Sequence, residues 1–177
     1  DVVNLVLLRG QLFETVERSG MLSVPADHAT VAALLPPELD IASVNAPDLC
    51  VVSGRNDDLE AFHRLLGEKG IDAIRVQIDI AAHSRLIDGI LGRYEAFLRS
   101  IALNPPRIPI ISNRDGKVLA DRDATDPLYW VGHLRSTVEF AKGMATLAEN
   151  GKRIYIEVGP GRTLSSLAKA QGSIDAN

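Results

Sequence analysis

A single cysteine, Cys50, excludes any internal disulfide, so a reducing cytoplasm is the expected setting. No apolar run approaches the roughly 18 to 20 residues that a membrane-spanning helix needs. There is no basic excess either: 19 Lys and Arg against 23 Asp and Glu leave a net charge of −4. That balance argues against a general nucleic-acid or anionic-membrane surface. The four histidines, at 28, 63, 83 and 133, have no short metal-ligand spacing, so no zinc site is expected. No nucleotide or flavin fingerprint is present. Gly159-Pro160-Gly161-Arg162-Thr163 lacks the Gly-Lys-Ser/Thr signature of a phosphate loop, and Pro160 removes an N–H that would cradle an anion. Repeats and low-complexity stretches are missing. So are an initiator Met and a signal-peptide core before the helical pattern that opens at Asp1, which is the pattern expected of a piece of something larger.

What is there suits one domain, or one domain with a small inserted subdomain, across 177 residues. A chain of this length buries roughly 70% of its extended surface. Asp1 to about Arg18 reads as a helix, and Met21 to Pro25 as a short extended run. Asp27 is suited to cap a helix from His28 to Leu35 that Pro36-Pro37 closes. Leu39 to Val44 and Leu49 to Ser53 read as strands around a turn at Asn45-Ala46-Pro47-Asp48. A helix capped by Asn56 or Asp57 runs to Lys69, Gly70 ends it, and one more strand lies within Ile71 to Ile80. The order is β-α-β-β-α-β, a ferredoxin-like arrangement over residues 21–80.

The remainder, residues 1–20 and 81–177, reads as an α/β layer. A helix after His83-Ser84 carries apolar residues at Leu86, Ile90, Tyr94, Phe97 and Ile101. Ile108 to Ser112 and Arg153 to Val158 read as strands, and Asn113 to Thr125 as a polar loop. Pro127 to Leu134, Val138 to Glu149 and Thr163 to Ala170 read as helices.

Arg9 stands out physically. Its helical neighbours three, four and seven residues away are Val2, Leu5, Val6, Leu12, Phe13 and Val16, all apolar. An arginine on a buried stripe is uncommon unless paired. Two readings stand: an ion pair or a stem reaching back to solvent, or a fork presented in a dry cleft to a carboxylate or phosphate. His83 lies between a strand and a helix in Ile80-Ala81-Ala82-His83-Ser84, where open α/β layers present ligand sites. It is either a proton-transfer group or a satisfied, half-buried histidine. The other three histidines fit structural roles. Asn45 is either turn chemistry or an amide facing a ligand. Cys50, in an apolar strand, fits an inert core thiol.

In order along the chain stand Leu5-Val6-Leu7-Leu8-Arg9-Gly10, Ser43-Val44-Asn45-Ala46-Pro47 through Val51-Val52-Ser53-Gly54, and Ala82-His83-Ser84. Ile111-Ser112-Asn113, Tyr129-Trp130-Val131 with His133-Leu134-Arg135, Val138-Glu139-Phe140-Ala141 and Glu157-Val158-Gly159-Pro160-Gly161 follow. The series resembles the acyltransferase domain of modular type I polyketide synthases, related to malonyl-CoA:acyl carrier protein transacylase. The resemblance implies an α/β hydrolase-like body with an inserted ferredoxin-like subdomain. It implies acyl transfer from an acyl-CoA, through a serine ester, to the phosphopantetheine thiol of an acyl carrier protein, with no bound cofactor or metal. His83 would be the general base, and Arg9 would hold the free carboxylate of a malonyl-type extender. Asn45 would lie beside the substrate pocket, and a backbone carbonyl near Glu139 would orient the histidine. The family's Gly-His-Ser-x-Gly turn falls before Asp1, so the nucleophile is expected outside these residues and an exposed apolar patch is expected on this chain, which by itself should not turn over. Ser84 directly follows the base and cannot serve as its nucleophile.

The resemblance also bears on the extender. The four positions ending at the base read His-Ala-Phe-His in malonyl-selective members and Tyr-Ala-Ser-His in methylmalonyl-selective ones. Here they are Ile80-Ala81-Ala82-His83, and the small Ala82 leaves room for an α-methyl branch. A modest preference for methylmalonyl over malonyl is expected. Neighbouring synthase domains are the further expected partners. Two other classes compete: a non-catalytic ferredoxin-like module that binds an anion or a partner, and a docking piece of a megasynthase.

Overall fold

The computed structural model describes residues 1–149 and 153–172; the parts of the expected 81–177 body at 150–152 and 173–177 lie outside the described residues. Helix α1 covers Val2–Phe13, stopping five residues short of the expected Arg18. Strands β1 (Gly20–Val24), β2 (Asp40–Ala46), β3 (Leu49–Gly54) and β4 (Ile74–Arg75) alternate with α2 (His28–Leu34) and α3 (Asn56–Glu68) in the expected order. They pair antiparallel throughout, in the spatial order β2-β3-β1-β4.

Period-two alternation gives the sheet two faces. Leu22 and Val24 of β1 with Cys50 and Val52 of β3 point to one side, where Val31 of α2 and Leu59, Phe62 and Leu66 of α3 close a core. Met21, Ala42 and Val51 point to the other side, where Ala82 and Val76 pack against them. Ala42 and Asn45 are extra residues on β2 where its register against β3 shifts. Such bulges re-aim side chains. Asn45 and Ala46 therefore belong to the strand, and only Pro47-Asp48 forms the turn. Asp27 caps α2 as expected, accepting from Thr30 N–H at 3.0 Å. The expected cap of α3 is displaced by one residue: Arg55 stands at the N-cap without a side-chain bond, while Asp57 and Asp58 place negative charge against the helix's positive end.

The other described residues are mainly helical. A 3-10 turn at Arg85–Ile87 leads into α4 (Asp88–Arg99), followed by α5 (Asp121–Ala124), α6 (Pro127–Arg135), α7 (Phe140–Ala148) and α8 (Thr163–Lys169). Helix α5 and the buried Leu119 and Ala124 lie within the stretch expected as a polar loop. The core of this part joins Leu12 of α1, Ile87, Ile90, Tyr94 and Leu98 around α4, and Leu134 of α6. Ile87 and Leu98, rather than the expected Leu86 and Phe97, complete the buried face: Ile90, Tyr94 and Leu98 repeat at four-residue steps within α4, and Ile87 precedes Ile90 by the three-residue step of the 3-10 turn.

Neither expected strand of this part forms a ladder. Ile108 to Ser112 contributes one isolated bridge, Ile111 to Val118, and Arg153 to Val158 pairs with nothing among the described residues. A strand exists by virtue of a partner's backbone groups, and without one the apolar side chains stay in solvent: Ile154 is 91% and Val158 93% exposed. Val2, Val3, Ile108 and Ile156 are exposed as well, so exposed apolar side chains occur on α1 and on both of these segments. No helix among the described residues is long and apolar enough to cross a membrane.

Three connections weld the sheet to the helices. Val138, between α6 and α7, bridges Ser43 in parallel, with Val44 N–H donating to Val138 O at 2.8 Å and Val138 N–H to Ala42 O at 2.9 Å. The Thr137 hydroxyl donates to Ile41 O at 2.7 Å. Arg85 grips the Asp40 carboxylate with Nε at 3.0 Å and Nη2 at 3.1 Å. Burial works against that carboxylate's charge, but the Arg85 hydrogen bonds and charge outweigh it and hold the group below its usual range.

Candidate active site

The segment from Ile80 to Ser84 is held by its backbone and two serines. Ser19, buried at the entrance to β1, donates its N–H to Asp79 O at 3.3 Å and accepts Ala81 N–H on Oγ at 2.7 Å. Ser84 is fully buried; its hydroxyl donates to Ala81 O at 2.7 Å and accepts Leu86 N–H at 3.2 Å, capping the 3-10 turn. Between these anchors His83 adopts φ 56°, the left-handed region that a side chain rarely enters. The strain is sustained because both flanks are over-determined by hydrogen bonds.

The imidazole reaches the C-terminal end of α6, where Nδ1 lies 3.0 Å from Ser136 O. A carbonyl can only accept, so Nδ1 carries the hydrogen and Nε2 keeps its lone pair free for a proton. The orienting carbonyl therefore belongs to Ser136, three residues before Glu139 and in the region expected. The reason is that Ser136 closes α6 and offers a carbonyl no longer used within the helix, whereas the Glu139 carbonyl accepts Gly143 N–H at the start of α7. The Glu139 carboxylate is instead drawn to Lys142 Nζ at 2.9 Å. Burial lowers the His83 pKa below its ordinary value, the Ser136 and His133 carbonyls oppose that, and the charge of Arg9 adds to the lowering.

The charge of Arg9 reaches this imidazole, but Arg9 does not lie on a buried stripe. It is exposed, as are its neighbours Val2 and Val6, at 75% and 53%. The stripe of α1 that packs inward is Leu5, Leu8 and Leu12. Apolar residues fall on every side of α1, so periodicity leaves its buried face undecided. No carboxylate lies within ion-pair distance of Arg9 among the described residues. Its charge acts on His83, His133 and Tyr94, and its helix α1 shares one core with α4 and α6.

Ala82 touches the open face of the sheet at Met21, Ala42 and Val51, and Ile80 is half-buried beside the Ser19 anchor. Asn45 is half-buried on its bulge; its carbonyl accepts Gln171 Nε2 at 2.7 Å. Cys50 is fully buried, its thiol pushed up to about 11 by burial and by the negative charges of Asp27 and Glu139, which suits an inert thiol. Across the Gly159-Pro160-Gly161 turn, Glu157 accepts Leu164 N–H and Ser165 N–H at 3.0 Å each, so the protein's own carboxylate fills the start of α8. His63 donates to Ala73 O at 2.9 Å in a structural role.

Sequence reasoning missed His133. Its ring lies 6.4 Å from Tyr129 and 6.0 Å from Trp130, and burial, then His83, Arg114 and Arg9, lower its pKa. The available signal is the spacing of Tyr129, His133 and Ser136, which share one face of a helix.

Residues 1–173 match the family model described as acyl transferase domain. Among curated proteins, a component of the phenolphthiocerol/phthiocerol polyketide synthase of Mycobacterium tuberculosis is 34% identical over 94% of this chain, and the spectinabilin polyketide synthase system protein NorB of Streptomyces orinoci is 33% identical over 96%. The chain spans only 11% and 8% of those proteins. Among solved structures, the acyl transferase domain of SpnD, in complex with 2-(pent-4-yn-1-yl)malonyl, superposes with a TM-score of 0.89 at 37% identity, covering 94% of this chain and 40% of that one. The acyltransferase domain from the second module of the salinomycin polyketide synthase gives 0.88 at 34%, again covering 94% and 40%. FabD from Acinetobacter baumannii, at 24% identity and a TM-score of 0.89 over 98% of this chain and 58% of that one, shares the mixed α/β fold. The chain belongs to the acyl transferase domain family, as that family occurs in type I polyketide synthases.

Proposed function

We propose that this chain is the base-bearing and extender-binding part of an acyltransferase domain that loads an α-branched malonyl unit onto an acyl carrier protein. The observation that carries this reading is the His83 imidazole, whose Nδ1–H is bound to Ser136 O at 3.0 Å and whose Nε2 has no hydrogen-bond partner among the described residues. In the reaction, Nε2 takes the hydroxyl proton of a serine supplied from outside these residues as that oxygen attacks the thioester carbonyl. The C–S bond breaks, and the departing coenzyme A sulfur receives the proton. The carrier's phosphopantetheine thiol then gives its proton to Nε2 and attacks the acyl-serine ester, and the serine oxygen leaves with that proton. Ser84 is no substitute for the serine, because its hydroxyl is committed to Ala81 O. Arg9, without an acidic partner among the described residues, pairs with the extender's free carboxylate.

Ala82 sets the preference for methylmalonyl over malonyl. Ala82, packed against Met21, Ala42 and Val51, is small where malonyl-selective members carry Phe, and the volume that Phe would take is assigned here to the methyl branch, with half-buried Ile80 and Asn45 as the further substrate-contacting residues of this reading. The substituted malonyl bound by the SpnD domain is consistent with such a pocket. Residues 21–80 act as a ferredoxin-like subdomain inserted into an α/β hydrolase-like body formed by residues 1–20 and 81–177, working in the cytoplasm beside neighbouring synthase domains. The test uses the full-length protein. His83→Ala should slow acyl transfer about 10²- to 10⁴-fold. Methylmalonyl-CoA should outcompete malonyl-CoA, and a malonyl preference would refute the substrate assignment.

A further inference from the structure

Arg114 is exposed, yet three neighbours hold it in one place. Its guanidinium lies over the ring of Tyr129, 5.3 Å from the centroid. One turn further along α6, Gly132 leaves a gap in the helix surface that the same guanidinium fills: a methyl group there would stand 3.1 Å from Cζ and Nη1. A glycine inside a helix weakens it, so the gap has a local cost that this contact offsets. Buried Ser112 ties the two elements together, its Oγ accepting the Tyr129 hydroxyl at 2.8 Å and Arg114 N–H at 3.1 Å. Like Arg9, Arg114 has no carboxylate within ion-pair distance among the described residues. The next residue on α6 after the gap is His133, whose imidazole feels the charges of Arg114, Arg9 and His83 together. The geometry makes a chain of contacts: the stacked Arg114 guanidinium lies over Tyr129, the Tyr129 ring lies 6.4 Å from that of His133, and the end of the same helix holds the His83 imidazole through Ser136 O at 3.0 Å.

We propose that Arg114 is a second cationic anchor that acts with Arg9 to hold the carboxylate of a dicarboxylic acyl group beside His83. The inference rests on the extender reading given above and adds a specificity residue to it. A guanidinium already stacked on an aromatic face loses little freedom when it meets an anion, so its contribution goes into affinity for the charged group.

The test is titration of the chain with malonyl- and acetyl-N-acetylcysteamine thioesters, which differ in the free carboxylate and carry no phosphate, following the His83 and His133 imidazole resonances by NMR. The malonyl thioester should shift both resonances. Arg114→Gln should weaken its binding about three- to fivefold, the range of a partly exposed ion pair, and Arg114→Lys should restore it to within twofold. Acetyl thioester binding should not respond to Arg114→Gln. Gly132→Ala, which displaces the guanidinium without removing its charge, should weaken the malonyl thioester as well and serves as a second variant if Arg114→Gln does not fold. If Arg9→Gln weakens the malonyl thioester while neither Arg114→Gln nor Gly132→Ala does, this inference is overturned and the extender reading stands. If Arg9→Gln has no effect and malonyl and acetyl thioesters bind alike, both fall. A loss that appears only with the coenzyme A esters, equal for malonyl and acetyl, would assign Arg114 to phosphate and overturn the proposal.

Discussion

His83 combines a strained backbone with an oriented side chain. The strain at φ 56° turns the imidazole away from the sheet and toward the end of α6, where one carbonyl selects its tautomer. Its pKa is lowered first by burial and then by Arg9, so the ring is neutral and able to accept a proton at neutral pH. Removing the Arg9 charge should let the His83 pKa rise, so Arg9→Met should move the NMR titration midpoint upward. The folding linkage has a definite sign. A group with a lowered folded pKa binds fewer protons folded than unfolded between its two pKa values, so stability falls as pH drops through that window. The Tm of the chain should therefore decline as the pH is lowered from 7 past the ordinary histidine value of 6.5, and Arg9→Met should make that decline shallower. A steeper decline would contradict the assigned role of Arg9. His83 is legible in the sequence as a residue between strand and helix with small neighbours. Its carbonyl partner, 53 positions later, is not, because nothing local connects two residues so far apart.

Among the elements, those with sharp punctuation are legible in the sequence. Asp27 and the proline pair bound α2, Pro127 opens α6, and the hairpin between β2 and β3 falls within two residues of its expected limits. Elements whose boundaries depend on neighbours are less so. Helix α1 carries apolar residues on every side, so its inward face is chosen by α4 and α6. The expected strands at 108–112 and 153–158 have the composition of buried strands but no ladder among the described residues. The join before α4 is fixed by one hydroxyl. Ser84→Ala removes both the cap of the 3-10 turn and the bond to Ala81 O in a fully buried position, and should cost about 1–2 kcal/mol in urea unfolding. It should also loosen His83, seen as a weaker shift separation between the two imidazoles, since the same hydroxyl braces the left-handed turn.

At the scale of the whole molecule, the sheet unit and the helical unit are tied by the Val138 bridge, the Thr137 hydroxyl and the Arg85–Asp40 pair. Each tie crosses from β2 to the segments carrying His83 and its carbonyl. Loss of one unit should therefore unfold the other. The only tryptophan, Trp130, belongs to the helical part, whereas Phe62 sits in the core beneath the sheet. Phe62→Ala should destabilise by about 3–5 kcal/mol. The Trp130 fluorescence transition should shift together with far-ultraviolet circular dichroism, and two separate transitions would show the units to be independent. The exposed Ile154, Ile156 and Val158 should make the isolated chain associate as its concentration rises, and Ile156→Glu should reduce that association in sedimentation experiments.

The order of sheet-forming and helix-forming segments and the alternation that splits the sheet into two faces follow from the amino-acid sequence alone, which also singles out His83 and Arg9 as candidates for chemistry. Those features are local, written in caps, breakers and two- or four-residue periods. Folding in three dimensions is what leaves Arg9 exposed, picks Ser136 as the orienting carbonyl in the region around Glu139, and gathers His133 and Arg114 around Tyr129. These depend on which helix end meets which turn, and that is settled by packing between segments distant in the chain.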